Sequence, residues 1–478
     1  MHATIHIDPQ FLDYVSAHLP NGYSLAEFTA YCQTPLRKSI RVNTLRLSVD
    51  EFCQHVNQQG WQLTPIPWCA QGFWIERPSE QEERIPLGNT AEHLAGWFYI
   101  QEASSMLPPV ALVNPDSAPA CVLDMASAPG SKSTQLAAMM NNRGTLVANE
   151  LSSSRVKVLA ANFSRCGVQN ACISHFDGQV FGQYTQESFD AILLDAPCSG
   201  EGTVRKDPAA LQHWDTTHIN SIVELQTALL DAAIQALKVG GELVYSTCTL
   251  NKFENQHVVA SALETYGDAL EIVDLSGLFC GAEQAITPEG YLHVWPMVFD
   301  SEGFFVAKLR KVKATPLKES KSRHGDVPFS PLTRKQWQPL DVYLKSFGID
   351  LPLTQLFYRD NEIWFLPEYA RELGAKIKLQ RYGVKLAQQF KQDYRLTHEA
   401  SLAFGCSTAK RAIEITQAEY ADFCQGKDFL THHTPSLKGE LLLCFNGQPV
   451  GLGKWVNGKI KNSLPRELVR DRHQLGWG

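Results

Sequence analysis

The sequence predicts an α/β fold: a doubly wound parallel sheet with a small N-terminal α+β region before it and a C-terminal β module after it. Between residues 119 and 311, short apolar runs alternate with segments of helical periodicity, which is typical of parallel strands joined by crossover helices. Near the C-terminus the short apolar runs are separated by Gly-Gln, Gly-Leu-Gly and Asn-Gly instead, which indicates a small β-barrel-like module.

Length and composition limit the class of protein. The chain has 478 residues, 44% of them hydrophobic, which predicts about three domains with sizeable cores. The N-terminus has no basic segment followed by an apolar run, and no apolar stretch reaches about eighteen residues, so we expect a soluble cytoplasmic protein. The 12 cysteines form no CxxC pair, which argues against zinc ribbons and indicates free thiols without a metal site.

The net charge of −7 conceals a division between the two parts of the chain. From Gly303 onward there are 28 basic against 17 acidic residues, a balance of +11, whereas the first 302 residues have 15 against 33, a balance of −18. This asymmetry predicts polyanion binding by the basic part, with an ordinary solvated surface as the alternative. The acidic part contains one basic cluster, in PLRKSIRVNTLR, made of Arg37, Lys38, Arg41 and Arg46.

The elements of the central region can be predicted in order. A helix at FLDYVSAHL (11–19) belongs to the N-terminal region and precedes them. LSSSRVKVLAANFSRCG predicts a helix with serines as caps and Gly167 as its end. A second, amphipathic helix carries Ile222, Leu225, Leu229, Ala233 and Leu237 at helical spacing. The strands are predicted at CVLDM (121–125), TLVANE (145–150), ACISHFD (171–177), FDAILLDAP (189–197), GELVYSTCT (241–249) and FFVAKLRK (304–311).

Composition also predicts the domain boundaries. The segment after residue 311 is polar, basic and poor in large apolar side chains, which is typical of a linker. We therefore predict an N-terminal region at 1–105, a central domain at 106–311, a linker at 312–330, an intermediate α+β region at 331–400 and a C-terminal module at 401–478.

Three successive strand ends carry a candidate cofactor site, because ligands of parallel sheets bind beyond the carboxyl ends of the strands. Glu150 ends the second strand about 20 residues after Gly130, where an acid meets ribose hydroxyls in nucleotide-binding sheets. Asp177 ends the third strand and suits an adenine amino group, with a cap or turn residue as the alternative. The first strand is followed by a loop of small residues that opens a helix: Ala126, Ser127, Ala128, Pro129, Gly130, Ser131 and Lys132.

Two cysteines follow the next two strands, Cys198 in FDAILLDAPCSGEGT and Cys248 in GGELVYSTCTL. A thiolate is a strong nucleophile, and small neighbouring residues leave both thiols accessible. Pro197 makes a stiff exit from the strand, and Gly200 and Gly202 are expected to loosen the loop so that Cys198 faces the cleft. We predict covalent chemistry on an electrophilic ring. Small buried side chains, or a disulfide or redox pair, are the alternatives.

Several of these motifs resemble the motifs of a known protein family. FDAILLDAPCSG, YSTCTL, DMASAPGSK and ANE are similar to the RNA cytosine-C5 methyltransferases of the NOL1/NOP2/Sun family, over at least residues 98–311. RVNTLR resembles the family's N-terminal RNA-binding portion, and VGLGKWVNGKIK resembles a PUA-like RNA-binding domain. The first loop departs from the family's Cys-Ala-Ala-Pro-Gly-Gly-Lys, since Ala126 stands in place of the cysteine and Ser131 in place of the second glycine.

The resemblance implies a Rossmann-like class I methyltransferase that uses S-adenosyl-L-methionine and acts on a cytosine of small-subunit (16S) ribosomal RNA. It implies that Cys248 is the nucleophile at C6 of the base and that Cys198 assists product release. Asp195 is expected to hold the base edge or, alternatively, to contact the cofactor. Lys132 and the pair Arg205 and Lys206 are candidates for binding phosphate or orienting the base, with surface solvation as the alternative.

The expected partner is ribosomal RNA, bound by a monomer, without a membrane. The basic C-terminal part and the Arg37–Arg46 cluster are expected to hold the RNA backbone. Two other functions stay open at this point: a methyltransferase that acts on tRNA or DNA, and an RNA-binding ribosome-assembly factor whose methylation is incidental.

Overall fold

The computed structural model describes residues 5–316, 321, 325, 327–391, 393–431, 438–471, 475 and 477. Part of the predicted linker, residues 317–320, 322–324 and 326, lies outside this set. Within it, no helix combines the length and the apolar character that crossing a bilayer requires. All cysteines are free thiols.

The N-terminal part is a small α+β unit. Its helices are α1 (Pro9–Ser16), α2 (Leu25–Cys32), α3 (Val49–Gln58), α4 (Ser79–Arg84) and α5 (Ala91–Leu94), and its strands are β1 (Ser39–Val42), β2 (Gln62–Ile66), β3 (Cys69–Glu76) and β4 (Phe98–Ile100). The strands form an antiparallel sheet in the order β2-β3-β1-β4. Capping boxes, Ser24 with Glu27 and Ser48 with Glu51, fix the starts of α2 and α3.

The central part supplies most of the large sheet. Its strands are β5 (Cys121–Asp124), β6 (Thr145–Asn149), β7 (Ala171–Ser174), β8 (Phe189–Asp195), β9 (Leu237–Thr247), β10 (Leu270–Ile272), β11 (Leu292–Val294) and β12 (Phe304–Lys311). Its helices are α6 (Leu107–Leu112), α7 (Ser131–Met139), α8 (Ser153–Cys166), α9 (Phe181–Tyr184), α10 (Thr216–Ala236), α11 (Gln256–Tyr266) and α12 (Pro296–Phe299).

The C-terminal part contains two further five-stranded sheets. With the strands numbered along the chain as given next, their orders are β13-β14-β15-β17-β18 and β19-β21-β22-β23-β20. Their strands, with β16, are β13 (Ser330–Pro331), β14 (Leu356–Arg359), β15 (Glu362–Phe365), β16 (Arg381–Tyr382), β17 (Val384–Phe390), β18 (Asp393–Leu396), β19 (Ala412–Glu414), β20 (Phe429–Leu430), β21 (Gly439–Phe445), β22 (Gln448–Val456) and β23 (Lys459–Asn462). The helices are α13 (Arg334–Lys345), α14 (Ala370–Lys376), α15 (His398–Phe404) and α16 (Gln417–Cys424).

The large sheet is doubly wound, as predicted. Its order is β10-β12-β9-β8-β5-β6-β7-β16, with β11 paired to β12. The strands β7-β6-β5-β8-β9 are parallel, whereas β10, β11, β12 and β16 are antiparallel to their neighbours. The chain winds outward from β5 to β7 and then returns to β8, so the switch point lies where β5 and β8 adjoin. The edge strand β16 comes from the C-terminal part and pairs with β7 at Cys172 and Ile173.

Helices cover both faces of this sheet because its central strands are apolar on both sides. On one face Leu136 of α7 and Leu159 of α8 pack into one core cluster, and on the other Leu229 of α10 and Val258 of α11 pack into a second. The predicted helix over 222–237 is confirmed, but its buried side is rotated, since Leu225 is 39% exposed. Its C-terminal end is also earlier than predicted, because Leu237 begins β9.

The prediction that the whole Arg37–Arg46 cluster holds RNA is wrong for two of its members. Arg41 is buried, and its guanidinium donates to Gln101 Oε1 and Thr134 Oγ1, both at 2.9 Å. Arg46 is buried too and donates to the carbonyl oxygens of Leu402 and Pro449. The five donors of a guanidinium allow one side chain to join several backbone segments, so these arginines join the N-terminal part to the rest of the molecule.

Candidate active site

The two motif cysteines meet at the carboxyl ends of adjacent parallel strands. β8 and β9 are paired with Asp195 opposite Ser246, so both strands end at the same level of the sheet. The Sγ atoms of Cys198 and Cys248 lie 3.3 Å apart, and both thiols are half-buried. The two sulfurs are in direct contact, so a substrate atom beside the pair lies within reach of both.

The environment of the two thiols is unequal. The hydrogen bond with Cys248, followed by burial, raises the pKa of the Cys198 thiol well above its usual range. The raised pKa favours the protonated form of the Cys198 thiol at neutral pH. A thiol that remains protonated is a poor nucleophile but a possible proton donor.

Two buried carboxylates hold the loops that carry the thiols. Glu201, three residues after Cys198, accepts hydrogen bonds from the Leu250 N–H at 3.0 Å and the Asn251 N–H at 2.9 Å. Glu254 accepts from the Ser199 N–H at 2.9 Å and from Asn251 Nδ2 at 2.7 Å. Each carboxylate belongs to one loop and bonds to the other, so together they join the two loops.

Gly202 has a different role from the expected loosening of the loop. Its N–H donates to the Cys248 carbonyl oxygen at 2.9 Å, and its own carbonyl oxygen accepts from the Gly303 N–H at 3.0 Å. A Cβ at position 202 would lie 2.2 Å from the Gly303 oxygen and 2.8 Å from the Cys248 oxygen. Glycine is therefore required for close backbone approach, which fixes the Cys248 loop.

Asp195, at the end of β8, is held on both carboxylate oxygens. Lys132 Nζ donates to Oδ2 at 2.8 Å and Ser246 Oγ donates to Oδ1 at 2.8 Å. Lys132 also donates to Ser105 Oγ at 3.0 Å. Burial lowers the pKa of Lys132, but the charge of Asp195 and the hydrogen bond to it outweigh burial, so the pKa is raised and the ammonium form persists.

A second pair of acids lies beyond Lys132. The Glu302 N–H donates to Glu102 Oε1 at 3.0 Å, and the Ser105 N–H donates to Glu102 Oε2 at 3.1 Å. Burial, and then the charge of Glu102, raise the pKa of Glu302 to about 8. The raised pKa favours the protonated form of Glu302 at neutral pH.

The residues predicted to bind the cofactor after β5 and β6 lie close together in the structure. Gly130, with φ +106°, precedes α7, and no side chain caps the N-terminus of that helix. A Cβ at Gly130 would lie 2.9 Å from Leu159 Cδ1, so glycine also permits α7 to pack on α8. Glu150 is buried and accepts from the Ala128 N–H at 3.3 Å and the Ser152 N–H at 2.8 Å. The loop Ala126–Lys132 thus lies against the end of β6.

Two other predicted residues behave differently. Asp177 is exposed beyond β7, and its carboxylate caps the following turn by accepting from the Gln179 N–H at 3.0 Å. Arg205 cannot serve as a free phosphate ligand, because its guanidinium donates to the Pro35 carbonyl oxygen at 2.7 Å and to Asp300 Oδ1 at 2.9 Å. Lys206, in contrast, is exposed.

Comparison with protein families matches four consecutive parts of the chain. Residues 7–103 match the N-terminal domain of 16S rRNA methyltransferase RsmF, and residues 110–310 match 16S rRNA methyltransferase RsmB/F. Residues 329–404 match the pre-PUA domain of ribosomal RNA small subunit methyltransferase F, and residues 410–470 match the RsmF PUA domain.

Individual proteins give the same result over the full length. The chain is 51% identical over 480 residues to ribosomal RNA small subunit methyltransferase F of Aeromonas salmonicida, covering 100% of both chains. It is 49% identical to the protein of that name from Vibrio cholerae, covering 99% of this chain and 100% of the relative.

Solved structures match part of the chain. A methyltransferase homolog protein from Pyrococcus horikoshii has a TM-score of 0.51 at 34% identity and covers 64% of this chain and 100% of its own. NSun6 from the same organism, solved with SFG, has a TM-score of 0.54 at 21% identity, covering 65% of this chain and 100% of its own, and shows a shared fold.

Proposed function

The chain belongs to the family of ribosomal RNA small subunit methyltransferase F, and from this premise we propose that it methylates C5 of a cytosine in 16S ribosomal RNA through a covalent bond between Cys248 and C6 of the base. The family expected from the sequence is thereby confirmed. The observation that carries the proposed chemistry is the pair of thiols 3.3 Å apart at adjacent strand ends.

S-adenosyl-L-methionine is the methyl donor we propose, because the residues at the first two strand ends fit it. The N-terminus of α7 has no side-chain cap, so its free N–H groups suit the carboxylate of the methionine moiety. Glu150 presents a buried carboxylate at the end of β6, which suits ribose hydroxyls. Asp177, which is exposed beyond β7, is the candidate for the adenine amino group. When bound, this cofactor supplies an electrophilic methyl group.

The two thiols have different proposed roles: Cys248 attacks the base, and Cys198 assists its release. C5 of cytosine is a weak nucleophile, so the Cys248 thiolate first forms a bond to C6, and the ring electron pair moves toward C5. C5 then takes the methyl group. Loss of the C5 proton to water leaves the C–H electron pair to re-form the C5=C6 double bond, and Cys248 departs as a thiolate with the electron pair of the C6–S bond, which restores aromaticity. Cys198, whose protonated form is favoured, lies 3.3 Å from the Cys248 sulfur and can protonate the departing thiolate.

Asp195 supplies the charge that the first step needs. Attack at C6 is easier when N3 on the base edge is protonated, and a carboxylate beside that edge stabilises the cation. Lys132 and Ser246 fix the orientation of Asp195 through both oxygens, and neither contact depends on the base being bound. The carboxylate is thus already in place before the base arrives.

Methyl transfer to defined RNAs tests the proposed function. Purified protein is incubated with S-adenosyl-L-methionine that carries a labelled methyl group. Parallel reactions contain naked 16S rRNA, assembled small subunits or tRNA. We expect label in 16S rRNA or the small subunit, at 5-methylcytosine after nucleoside digestion and mass spectrometry. Label in tRNA alone would favour the alternative substrate, and binding without any label would favour an assembly factor.

A groove between α8 of the central part and the basic C-terminal part supports binding of the RNA backbone. Its volume is about 780 Å³, and it lies between α8, the β16–β17 segment, α15, α16 and the segment after β23. Its charged lining is mainly basic, with Glu399 and Glu467 as the acids and with Lys157, Arg165, Arg381, Lys385 and Arg470 as the bases. Arg381 pairs with Glu399 and Lys385 with Glu362, whereas Lys157 and Arg470 are exposed cations of the groove and can attract phosphate.

Reversing two groove charges is therefore expected to lower the affinity for RNA and to make that affinity less dependent on salt concentration. Lys157→Glu combined with Arg470→Glu removes two exposed cations. Each lost phosphate contact lowers the slope of log K against log salt by about 0.7 to 0.9. Affinity for 16S rRNA is measured by filter binding over a salt series. A matched variant, Lys313→Glu with Lys345→Glu, changes two exposed lysines outside the groove, and equal effects of the two variants would argue against groove binding.

A further inference from the structure

The carboxylate of Glu201 accepts more hydrogen bonds than a cap or surface acid requires. The side chain is 1% exposed, and its partners span two segments that are far apart in sequence. Its Oε1 accepts from Trp214 Nε1 at 2.5 Å and from Asn251 Nδ2 at 2.9 Å. Its Oε2 accepts from Thr249 Oγ1 at 2.8 Å, the Leu250 N–H at 3.0 Å and the Asn251 N–H at 2.9 Å.

Four of these five groups are N–H donors, and the fifth, the Thr249 hydroxyl, also donates to Glu201 in this arrangement. Burial raises the pKa of Glu201 despite the opposing hydrogen bonds from Trp214, Asn251 and Thr249. A proton on Oε1 would point at two N–H donors, and a proton on Oε2 would displace the hydrogen bond from Thr249 Oγ1, so the carboxylate is the form that accepts from all five groups. An amide fails for the same reason, since its NH₂ would face donors in either orientation.

The partners of Glu201 include the three residues directly after Cys248, and Glu201 itself is three residues after Cys198. One rigid group therefore connects the loop of the release thiol to the loop of the nucleophile. From this geometry we propose that Glu201 is a positioning residue for methyl transfer, whose carboxylate sets the separation and direction of the two thiols. The proposal rests on the proposed function, since it concerns the reaction of those thiols.

The substitution Glu201→Gln tests the proposal. It keeps the volume of the side chain but replaces one acceptor oxygen by an NH₂ group, so the side chain can no longer accept hydrogen bonds from all five groups. We expect kcat for methyl transfer to fall by about 100-fold, the cost of displacing a reacting group by roughly 1 Å. KM for RNA and affinity for S-adenosyl-L-methionine should stay within a factor of about three, because neither ligand is expected to contact Glu201.

Glu92→Gln is the matched control. Glu92 is equally enclosed, at 5% exposure, and accepts from His55 and Gln59 in the N-terminal part. It undergoes the same chemical change away from the thiols, so it should lower thermal stability without lowering kcat. Equal losses of kcat in the two variants would mean that Glu201 acts only through stability.

Two further measurements keep the proposal testable. In the Cys198→Ala background, the rate at which RNA becomes covalently attached should fall when Glu201→Gln is added. If Glu201→Gln does not fold, Thr249→Val removes one of the five donors, and we expect a loss of about tenfold in kcat. Normal kcat in the variant that folds would overturn the proposal. Absence of methylation by the unmodified protein would instead overturn the proposed function.

Discussion

The Cys248→Ala variant is expected to lose methyl transfer to 16S rRNA and to form no covalent complex with it. Without the sulfur at the end of β9 the site lacks its proposed nucleophile, since the raised pKa of Cys198 favours its protonated form, and C5 stays a weak nucleophile. The loss should be on the order of 10⁶-fold, as when the nucleophile of a covalent enzyme is removed. Incorporation of labelled methyl groups and a denaturing gel that detects protein–RNA adducts measure the two effects.

Cys280→Ala is the matched control for this loss. Cys280 is an exposed thiol of the central part, so its removal should leave both measurements unchanged. Binding of RNA by Cys248→Ala should also persist, because the groove and its charges are intact. Substantial methylation by Cys248→Ala would contradict the covalent mechanism and would direct attention to Cys198 as the nucleophile.

The Cys198→Ala variant is expected to give the opposite covalent result. Cys248 can still attack, and C5 can still take its methyl group, but the departing thiolate has lost the neighbouring S–H group that lies 3.3 Å away. The protein should therefore accumulate as a denaturation-resistant adduct with methylated RNA, after about one turnover. A gel shift under denaturing conditions, with the methyl content of the shifted band, measures this directly.

The double variant Cys198→Ala with Cys248→Ala separates this outcome from nonspecific crosslinking. It should form no adduct, because the sulfur that bonds to C6 is then absent. Normal turnover by Cys198→Ala would show that release does not need the second thiol, and the unequal roles proposed for the two cysteines would fail.

The sequence predicted six strands of the large sheet but not β10, β11 and β16, and β7, β8 and β9 end two or three residues earlier than predicted. β5, β6, β8 and β12 begin within a residue of the predicted runs, and β12 has the predicted bounds. This succeeds because parallel strands are buried on both faces and therefore appear as short, nearly continuous apolar runs. Since the carboxyl ends of such strands meet at one edge, the chain order also brought Cys198 and Cys248 to neighbouring positions.

The sequence was misleading where a charged side chain is buried. The sequence predicted that Arg41, Arg46 and Arg205 face solvent and bind phosphate. In the structure each donates hydrogen bonds to groups from distant segments of the chain. Glu201 and Glu254 were missed for the same reason, since nothing in SGEGT or NKFENQ marks a carboxylate as buried. The one available signal was the glycine on each side of Glu201, which indicates close backbone approach.

The sequence by itself determined the doubly wound sheet, the order of its strand ends and the two thiols placed there, because hydrophobic patterning and strand order are local properties of the chain. Only the tertiary structure decided which charges face solvent and what holds the two thiols 3.3 Å apart. Burial of a charge depends on the donors and acceptors that the folded chain brings to it, and these come from residues up to 403 positions away, as for Arg46 and Pro449.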